Sequence, residues 1–458
     1  MRGMNYFTDW LDSVDQLIWG PILVGFLIGV GLYLTFLLRG LQFRSFWHAL
    51  KLIGAKQNPP GKGDLTPFQA LTTALAGTVG TGNIAGVATA ILIGGVGSIF
   101  WLWVSGLVGM IITYAEAVLA VRFRIIGKKG EISGGPMYYI ANGLGWRWLA
   151  ILFAIFGACA SLFGIGNLVQ SHSIADVLSE TFLLPPIWTG LIISSLIALI
   201  LIGGIKSIGK VTSLFVPAMA LFYLIAGIGI LVIHATEIPA ILRLIVSSAF
   251  NGQAAIGGFV GSTGMMALRM GISRGIFSNE AGMGSTSIAA AAAITNSPTR
   301  QGLISMVGTF VDTVIICSVT GLTIALTGSL GVMNASGAPL NGAPLTAYAF
   351  ASSIPGGGYL VASCLVLFAF STILAWSYYG EKCLEFLFGS KTRIPYRIIF
   401  VLLIIAGSVL PLETVWSIAD IANGLMAIPN LIALLLLSGV VLTETRLYRA
   451  KIQQTLEL

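Results

Sequence analysis

The residues of this chain best suited to chemistry stand in two glycine-rich stretches, each in the middle of an apolar run. The first is Ala76-Gly77-Thr78-Val79-Gly80-Thr81-Gly82-Asn83-Ile84-Ala85-Gly86. The second is Ser278-Asn279-Glu280-Ala281-Gly282-Met283-Gly284-Ser285-Thr286-Ser287. Both place small hydroxyl and amide residues where continuous helix would otherwise run. Non-helical backbone at membrane depth is tolerated only where it is buried in protein or lines a cavity. Paired interruptions in two halves of a chain point to a transporter's binding site. Such breaks offer freed backbone dipoles to a charged or polar ligand. Amide N–H groups at a half-helix start face a carboxylate, and carbonyls freed at the other end face an ammonium or a cation. Thr78, Thr81, Gly82 and Asn83 are the candidates on the first break, with Phe277, Ala281 and Gly282 on the second. Close helix packing through small residues is the competing account of either stretch alone. Gly80-x-Gly82-x-x-Ala85 also fits a dinucleotide fingerprint, but no strand precedes it and no βαβ unit surrounds it.

Further polar groups lie inside apolar runs. Phe163, Asn167 and Gln170 follow at spacings of four and three, which puts them on one helical face if the helix is continuous. That face suits cavity lining or, more plainly, hydrogen bonding between helices. Glu116, Asp312, Arg269, Arg274, Glu280 and Asp420 are ionisable groups at membrane depth, each a functional hypothesis by default. A lone buried charge is costly, so Arg269 or Arg274 is expected to pair with Glu280 or Asp312. The alternative places both arginines in a water-filled vestibule. Glu116 and Asp312 fall at similar offsets after the two breaks, which suggests two five-helix repeats of opposite topology.

The elements that position these residues follow from composition. Of 458 residues, 56% are hydrophobic and 9% charged, with 57 glycines. A soluble domain carries about 25% charged residues. Taking about 20 apolar residues per span gives eleven: 17–38, 68–92, 98–123, 148–174, 187–204, 211–233, 256–294, 303–326, 359–388, 397–410 and 415–442. The net charge of +7 reflects loops. Arg39, Arg44, Lys51, Lys56 and Lys62 follow the first span; Arg122, Arg124, Lys128 and Lys129 the third; Lys206 and Lys210 the fifth; Arg300 the seventh. Lys391 and Arg393 follow the ninth, and Arg446, Arg449 and Lys451 the eleventh. Alternate loops hold Asp176, Glu180, Glu237 and Glu413, and 328–355 has no charge. The positive-inside rule therefore places the N-terminus outside and the C-terminus in the cytoplasm. Nucleic-acid binding finds no exposed basic face here.

Asp9, Asp12 and Asp15 argue against a signal peptide, so the first run is expected to be a retained helix. The segment 238–250, with Arg243, is short enough to lie along the outer face or to be an ordinary connection. Cys159, Cys317, Cys364 and Cys383 all fall in apolar runs without metal-ligand spacing and read as packing residues. The three histidines, His48, His172 and His234, sit near loops, so no buried nucleophile–histidine or metal constellation speaks for an intramembrane enzyme. A channel would need a ring of groups or a continuous polar pore, which two internal breaks fit less well than a carrier.

Gly94-Gly95-Val96-Gly97-Ser98-Ile99-Phe100-Trp101-Leu102-Trp103, the Gly80–Gly86 break, Gly134-Gly135-Pro136-Met137-Tyr138-Tyr139 and Phe277-Ser278-Asn279-Glu280-Ala281-Gly282-Met283-Gly284 together resemble the alanine or glycine:cation symporter family. Leu102 departs mildly, since members often carry Met there. The resemblance implies an all-α membrane protein with the five-plus-five inverted repeat of leucine-transporter-type folds (the amino acid-polyamine-cation superfamily) and one extra N-terminal helix. The implied division is 1–65 for the N-terminus, extra helix and loop, 66–234 for the first repeat, 235–254 for a connecting helix, 255–442 for the second repeat and 443–458 for the tail. It implies a bacterial or archaeal plasma membrane, alanine or glycine as substrate, Na⁺ as usual coupling ion with H⁺ open, and no cofactor. In such a fold the eighth helix, here the ninth span, adds hydroxyls to the cation site. Ser371 and Thr372 stand there, with carbonyls near Gly77 and Gly80 completing the shell; bonding back to their own helix is the plainer account of both. Trp376 would close the side-chain end of the pocket, or simply pack. The topology is checked by impermeant thiol labelling of intact cells: Ala338→Cys should react and Gln453→Cys should not, and the reverse pattern would invert the assignment.

Overall fold

The computed structural model describes residues 11, 13–14, 17–55, 61–127, 130–251, 264–334, 337–410 and 412–456, without the side chains of 412–418, 452, 455 and 456. Asp9, Asp12, Asp15, Lys56, Lys128, Lys129, the Glu413 side chain and the first part of the expected seventh span lie outside these described residues.

Helix α1 (Pro21–Leu37) leads, by left-handed residues Arg39 and Gly40, into α2 (Leu41–Arg44) and α3 (Phe46–Gly54). Helix α4 (Pro67–Thr78) starts on a capping box: Gln69 N donates to Thr66 Oγ1 at 3.2 Å and Thr66 N to Gln69 Oε1 at 3.0 Å. These bonds satisfy two of the N–H groups a helix start leaves open. A wide π-turn at Gly82–Gly86 then joins α5 (Val87–Gly94), bent by 50° from α4. Helix α6 (Ser98–Arg122) is buried at every position from Val108 to Val121 and runs through the centre. Its start is shaped by small residues. A Cβ on Gly97 would meet Ala249 N at 2.5 Å, and the Trp101 indole donates to Ala249 O at 3.0 Å.

A two-stranded turn, β1 (Ile125–Ile126) with β2 (Ile132–Ser133), precedes α7 (Pro136–Tyr139) and α8 (Arg147–Phe163). There follow α9 (Leu168–Phe182), α10 (Pro186–Ile202), α11 (Gly204–Ile233), α12 (Ile238–Asn251) and α13 (Gly264–Asn279). Beyond the second break come α14 (Ser285–Ala291) and α15 (Pro298–Thr309), which continues through a π-segment, Phe310–Cys317, into α16 (Ser318–Leu326). Helices α17 (Gly342–Ala351), α18 (Gly357–Phe388), α19 (Arg393–Val409), α20 (Leu412–Leu436) and α21 (Ser438–Leu456) complete the chain.

Among the described residues, seven helices are long and apolar enough to cross a membrane, and the bent pair α4–α5 makes an eighth. This falls short of the eleven spans expected. The runs at 17–38 and 187–204 form the shorter apolar helices Pro21–Leu37 and Pro186–Ile202. The seventh is divided by its glycines into α13 and α14. The fourth differs more sharply. Backbone at Gly164–Asn167 leaves the helix between α8 and α9, so Phe163 is 43% exposed while Asn167 and Gln170 are buried. The three do not share a face, because the turn rotates α9 relative to α8.

At one end of the molecule the loop before α4 lies against the loop after α14. Asp64 N and Leu65 N donate to Ala292 O at 2.8 and 3.0 Å, and Ile294 N to Leu65 O at 2.7 Å. Glycine is required here, since a Cβ on Gly63 would run into the backbone of Ala293 and Ile294. Arg124 fastens the same layer. Its guanidinium donates to four backbone carbonyls, those of Ala291, Ala293, Thr295 (2.7 Å each) and Lys62 (2.8 Å).

Candidate functional site

In the first break one rung of the helical ladder is replaced. Gly80 N donates to Asn83 Oδ1 at 2.9 Å instead of to the Ala76 carbonyl, which receives the Ser371 hydroxyl of α18 at 3.4 Å. A Cβ on Gly80 would lie 2.5 Å from Thr372 Oγ1 and 3.6 Å from Gln170 Oε1; one on Gly82 would lie 3.3 Å from the Phe277 ring. The break thus meets α18, α9 and α13 together. Gln170 Oε1 and Thr81 Oγ1 are buried here without a hydrogen-bond partner, a costly arrangement unless something else supplies one.

The second break turns through left-handed residues Glu280, Gly282 and Gly284. Its amides point at an internal carboxyl group. Glu116 Oε1, from α6, accepts from Gly282 N at 2.9 Å, Gly284 N at 3.1 Å and Asn430 Nδ2 at 2.7 Å. Asn430 also donates to Gly282 O at 2.8 Å and is held by the Tyr139 hydroxyl. The first break has the counterpart. Asp312, in the π-segment after α15, takes Asn83 Nδ2 on Oδ1 at 2.7 Å and the Ser278 and Thr313 hydroxyls on Oδ2 at 2.9 and 2.8 Å. Each carboxyl group therefore braces the other half's break. Glu280, a third buried carboxyl, accepts the Trp376 indole at 2.7 Å and the Ser285 hydroxyl.

This geometry sorts the expected residues. Gly80, Gly82, Gln170, Phe277 and Thr372 come together, and Ser371 joins them through Ala76. Gly77 faces the hydroxyl and ring of Tyr379 on α18, not Ser371 or Thr372. Thr372 donates back to Phe368 O at 3.1 Å, and the single Ser371 proton is shared between Phe368 O at 2.8 Å and Ala76 O at 3.4 Å, so both hydroxyls keep oxygen lone pairs open. Thr78 donates to Leu75 O at 3.3 Å. Asn83 spends its amide oxygen on Gly80 N and its amide nitrogen on Asp312, and Asn167 donates to Phe400 O at 2.8 Å while its Oδ1 is buried without a partner. Ala281 N is taken by Asn279 Oδ1 at 2.9 Å and Gly282 N by Glu116, so neither amide is free for a substrate carboxylate. Trp376 is buried and anchored to Glu280. Arg274 pairs with Asp420, at 3.0 Å, and not with Glu280 or Asp312. Those two are held by neutral donors, and Asp420 on α20 faces the α13 side that carries Arg274. Sequence reasoning gives no role to Asn430, Ser278 or Tyr139; only the Gly134–Tyr139 motif hints at the last.

Above the first break lies a cavity of about 450 Å³, lined by Gly86, Thr89, Asp176, Glu180, Arg274 and Leu365 among others. None of the residues that Arg124 bonds lines this cavity. No cluster of three or more His, Cys, Asp or Glu side chains able to hold a metal occurs among the described residues.

Residues 4–457 match the profile of the sodium:alanine symporter family. The sodium/alanine symporter AgcS of Methanococcus maripaludis is 48% identical over 447 residues, 96% of this chain and 97% of that protein. A Bacillus subtilis protein named "Probable sodium/glutamine symporter GlnT" is 37% identical, covering 95% of this chain and 89% of its own. Among solved structures, MhsT in complex with L-phenylalanine aligns with a TM-score of 0.57 at 16% identity, over 83% of this chain and 90% of that one.

Removing the Glu116 acceptor tests the bracing. Glu116→Leu strands three buried donors at about 1–3 kcal/mol each, so thermal stability in detergent should fall by about 3 kcal/mol or more. Glu116→Gln keeps an acceptor oxygen and should lose clearly less; equal losses would remove the bracing role.

Proposed function

Because the chain belongs to the sodium:alanine symporter family, we propose that it imports a small neutral amino acid, alanine or glycine, together with Na⁺ by alternating access. Cation-coupled amino-acid symport across a multi-pass membrane protein is the family's activity. The finer reading is ours: eleven spans, the second to sixth and seventh to eleventh forming inverted repeats, with the N-terminus outside.

One observation carries the site assignment. At the first break the Ala76 carbonyl, the Ser371 and Thr372 hydroxyls, and the unpartnered Gln170 oxygen converge around glycines that leave no side chain in the way. Na⁺ takes the Ala76, Gly77 and Gly80 carbonyls with Ser371 and Thr372. The amino acid lies beside it, its ammonium on Gln170 Oε1 and its carboxylate toward the Thr81 hydroxyl and the Thr81–Gly82 backbone. Phe277 and Trp376 limit the side chain to a methyl-sized group. Asn83, Ala281 and Gly282 act through the walls, since their polar groups are committed elsewhere, whereas Asn167 gives its amide N–H to Phe400 O and keeps a buried Oδ1 without a partner. Phe163, exposed at the last position of α8, has no part in the pocket.

The cavity above the break supplies the outer route, and the Arg124 layer the inner barrier. One charge moving through 100 mV yields about 2.3 kcal/mol and a tenfold gradient about 1.4 kcal/mol. Together they support accumulation on the order of several hundredfold.

Radiolabelled alanine and glycine uptake into proteoliposomes, with and without sodium at fixed pH, should be saturable and sodium-dependent. Uptake that follows a proton gradient alone would replace the ion, and conductance without saturation would replace the carrier. Thr372→Ala should raise the sodium concentration for half-maximal uptake several-fold; an unaltered dependence clears that residue. Arg124→Ala should speed labelling of a cysteine at Ala292 in inside-out vesicles by about tenfold or more, as four bonds of a charged donor are lost. An unchanged rate would show that other contacts form the inner barrier.

A further inference from the structure

Away from the transport site, two adjoining cavities of about 160 and 180 Å³ open where α1, α2 and α21 meet. They share Thr445 and Arg449. The first is lined by Arg39, Arg446 and Arg449 beside Leu37 and Leu38 at the end of α1 and Leu442 of α21; the second by Arg44, His48, Tyr448 and Arg449. No Asp or Glu lines either cavity. Arg39, Arg44, Arg446 and Arg449 form no ion pair among the described residues, whereas nearby Glu444 is already matched with Arg122 at 3.0 Å. Arg300, from the start of α15, lies close enough to act electrostatically on His48 and Tyr448. The walls are built and held. His48 bonds to Tyr448 across 400 residues at 3.0 Å, and Thr445 to the Tyr114 hydroxyl at 2.6 Å.

The surroundings are apolar and exposed: Phe36 by 78%, Phe43 by 58%, Trp47 by 75% and Leu447 by 61%. Aromatic side chains with arginines beside them mark the headgroup level of a bilayer. Basic pockets between membrane helices on the cytoplasmic side suit phospholipid headgroups.

We propose that these two cavities form a binding site for the phosphate of an anionic phospholipid, seated between α1, the α2–α3 hairpin and α21. The arginines take the phosphate oxygens, Tyr448 adds a donor, and the acyl chains lie along the leucines of α1 and out over Phe36. A zwitterionic lipid is disfavoured because its ammonium finds no carboxylate in either cavity. A free phosphate lacks the chains that the exposed apolar rim would cover. The site lies on the face that charge asymmetry assigns to the cytoplasm, and it is independent of which amino acid is carried.

The test is native mass spectrometry of the purified full-length protein with added phosphatidylglycerol or phosphatidylcholine. The wild type should retain phosphatidylglycerol at least about tenfold better, and equimolar inorganic phosphate should not displace it. Each arginine near the surface contributes about fivefold, so Arg446→Gln with Arg449→Gln should weaken retention about thirtyfold. Arg243→Gln, which removes an exposed arginine elsewhere, should not weaken it. Arg44→Gln, in the second cavity, gives a further reading should the double variant not fold. No preference in the wild type, unchanged retention in the cavity variants, or an equal loss in Arg243→Gln would overturn the site. Displacement by inorganic phosphate would assign it to a free anion instead.

Discussion

Opening the backbone in the middle of an apolar protein leaves amides and carbonyls without helical partners, and each must be answered. Here the answer comes from two carboxyl groups that cross the molecule. Glu116 reaches the amides of the second break, and Asp312 reaches the asparagine that closes the first. Asn83 completes the first arrangement by taking the Gly80 amide, which releases the Ala76 carbonyl toward Ser371. Without these bonds, continuous helix would be the lower-energy path for both segments, since helix satisfies every backbone group internally.

The bracing divides labour between the breaks. Amides of the second break are spent on Glu116 and Asn279, so that break works as a rigid wall carrying Phe277 and, through Glu280, Trp376. Buried oxygens without partners occur at both breaks, Thr81 and Gln170 at the first and Thr286 and Glu116 Oε2 at the second, but only at the first does a glycine also face the Thr372 hydroxyl of α18. Because each carboxyl group ties one half to the other half's break, a rocking motion must move the pair as a unit or exchange these bonds. The cavity beside the first break and the layer knotted by Arg124 are lined by different residues.

Local pattern makes the two breaks legible, because glycines mixed with hydroxyl and amide residues rarely gather inside an apolar run that stays helical. The same pattern recurs at Gly164-Ile165-Gly166-Asn167, where two glycines interrupt the fourth run. Treating that run as continuous puts Phe163 on the wrong surface. Span lengths are less legible: the first and fifth runs are as apolar as the others, yet their helices are shorter. What periodicity cannot carry is a partner far along the chain. Glu116 and Gly282 are 166 residues apart, Asn83 and Asp312 229, and Arg274 and Asp420 146. Glu116 and Asp312 stand out as acids at matching offsets, but nothing local says that they consume the amides meant for a substrate. Ser371 and Thr372 do lie beside the first break, though the α4 carbonyl that Ser371 reaches belongs to Ala76, one residue before the expected glycine.

An experimental density map of the protein with bound alanine and sodium measures the central claim directly. The ligand should lie between Gly80–Gly82 and Phe277, touching Gln170, with the ion beside Ala76, Ser371 and Thr372 and with Glu116 still on the Gly282 and Gly284 amides. Unbroken α-helix through Gly80 and Gly282, or alanine seated on the second break's amides in place of Glu116, would contradict it.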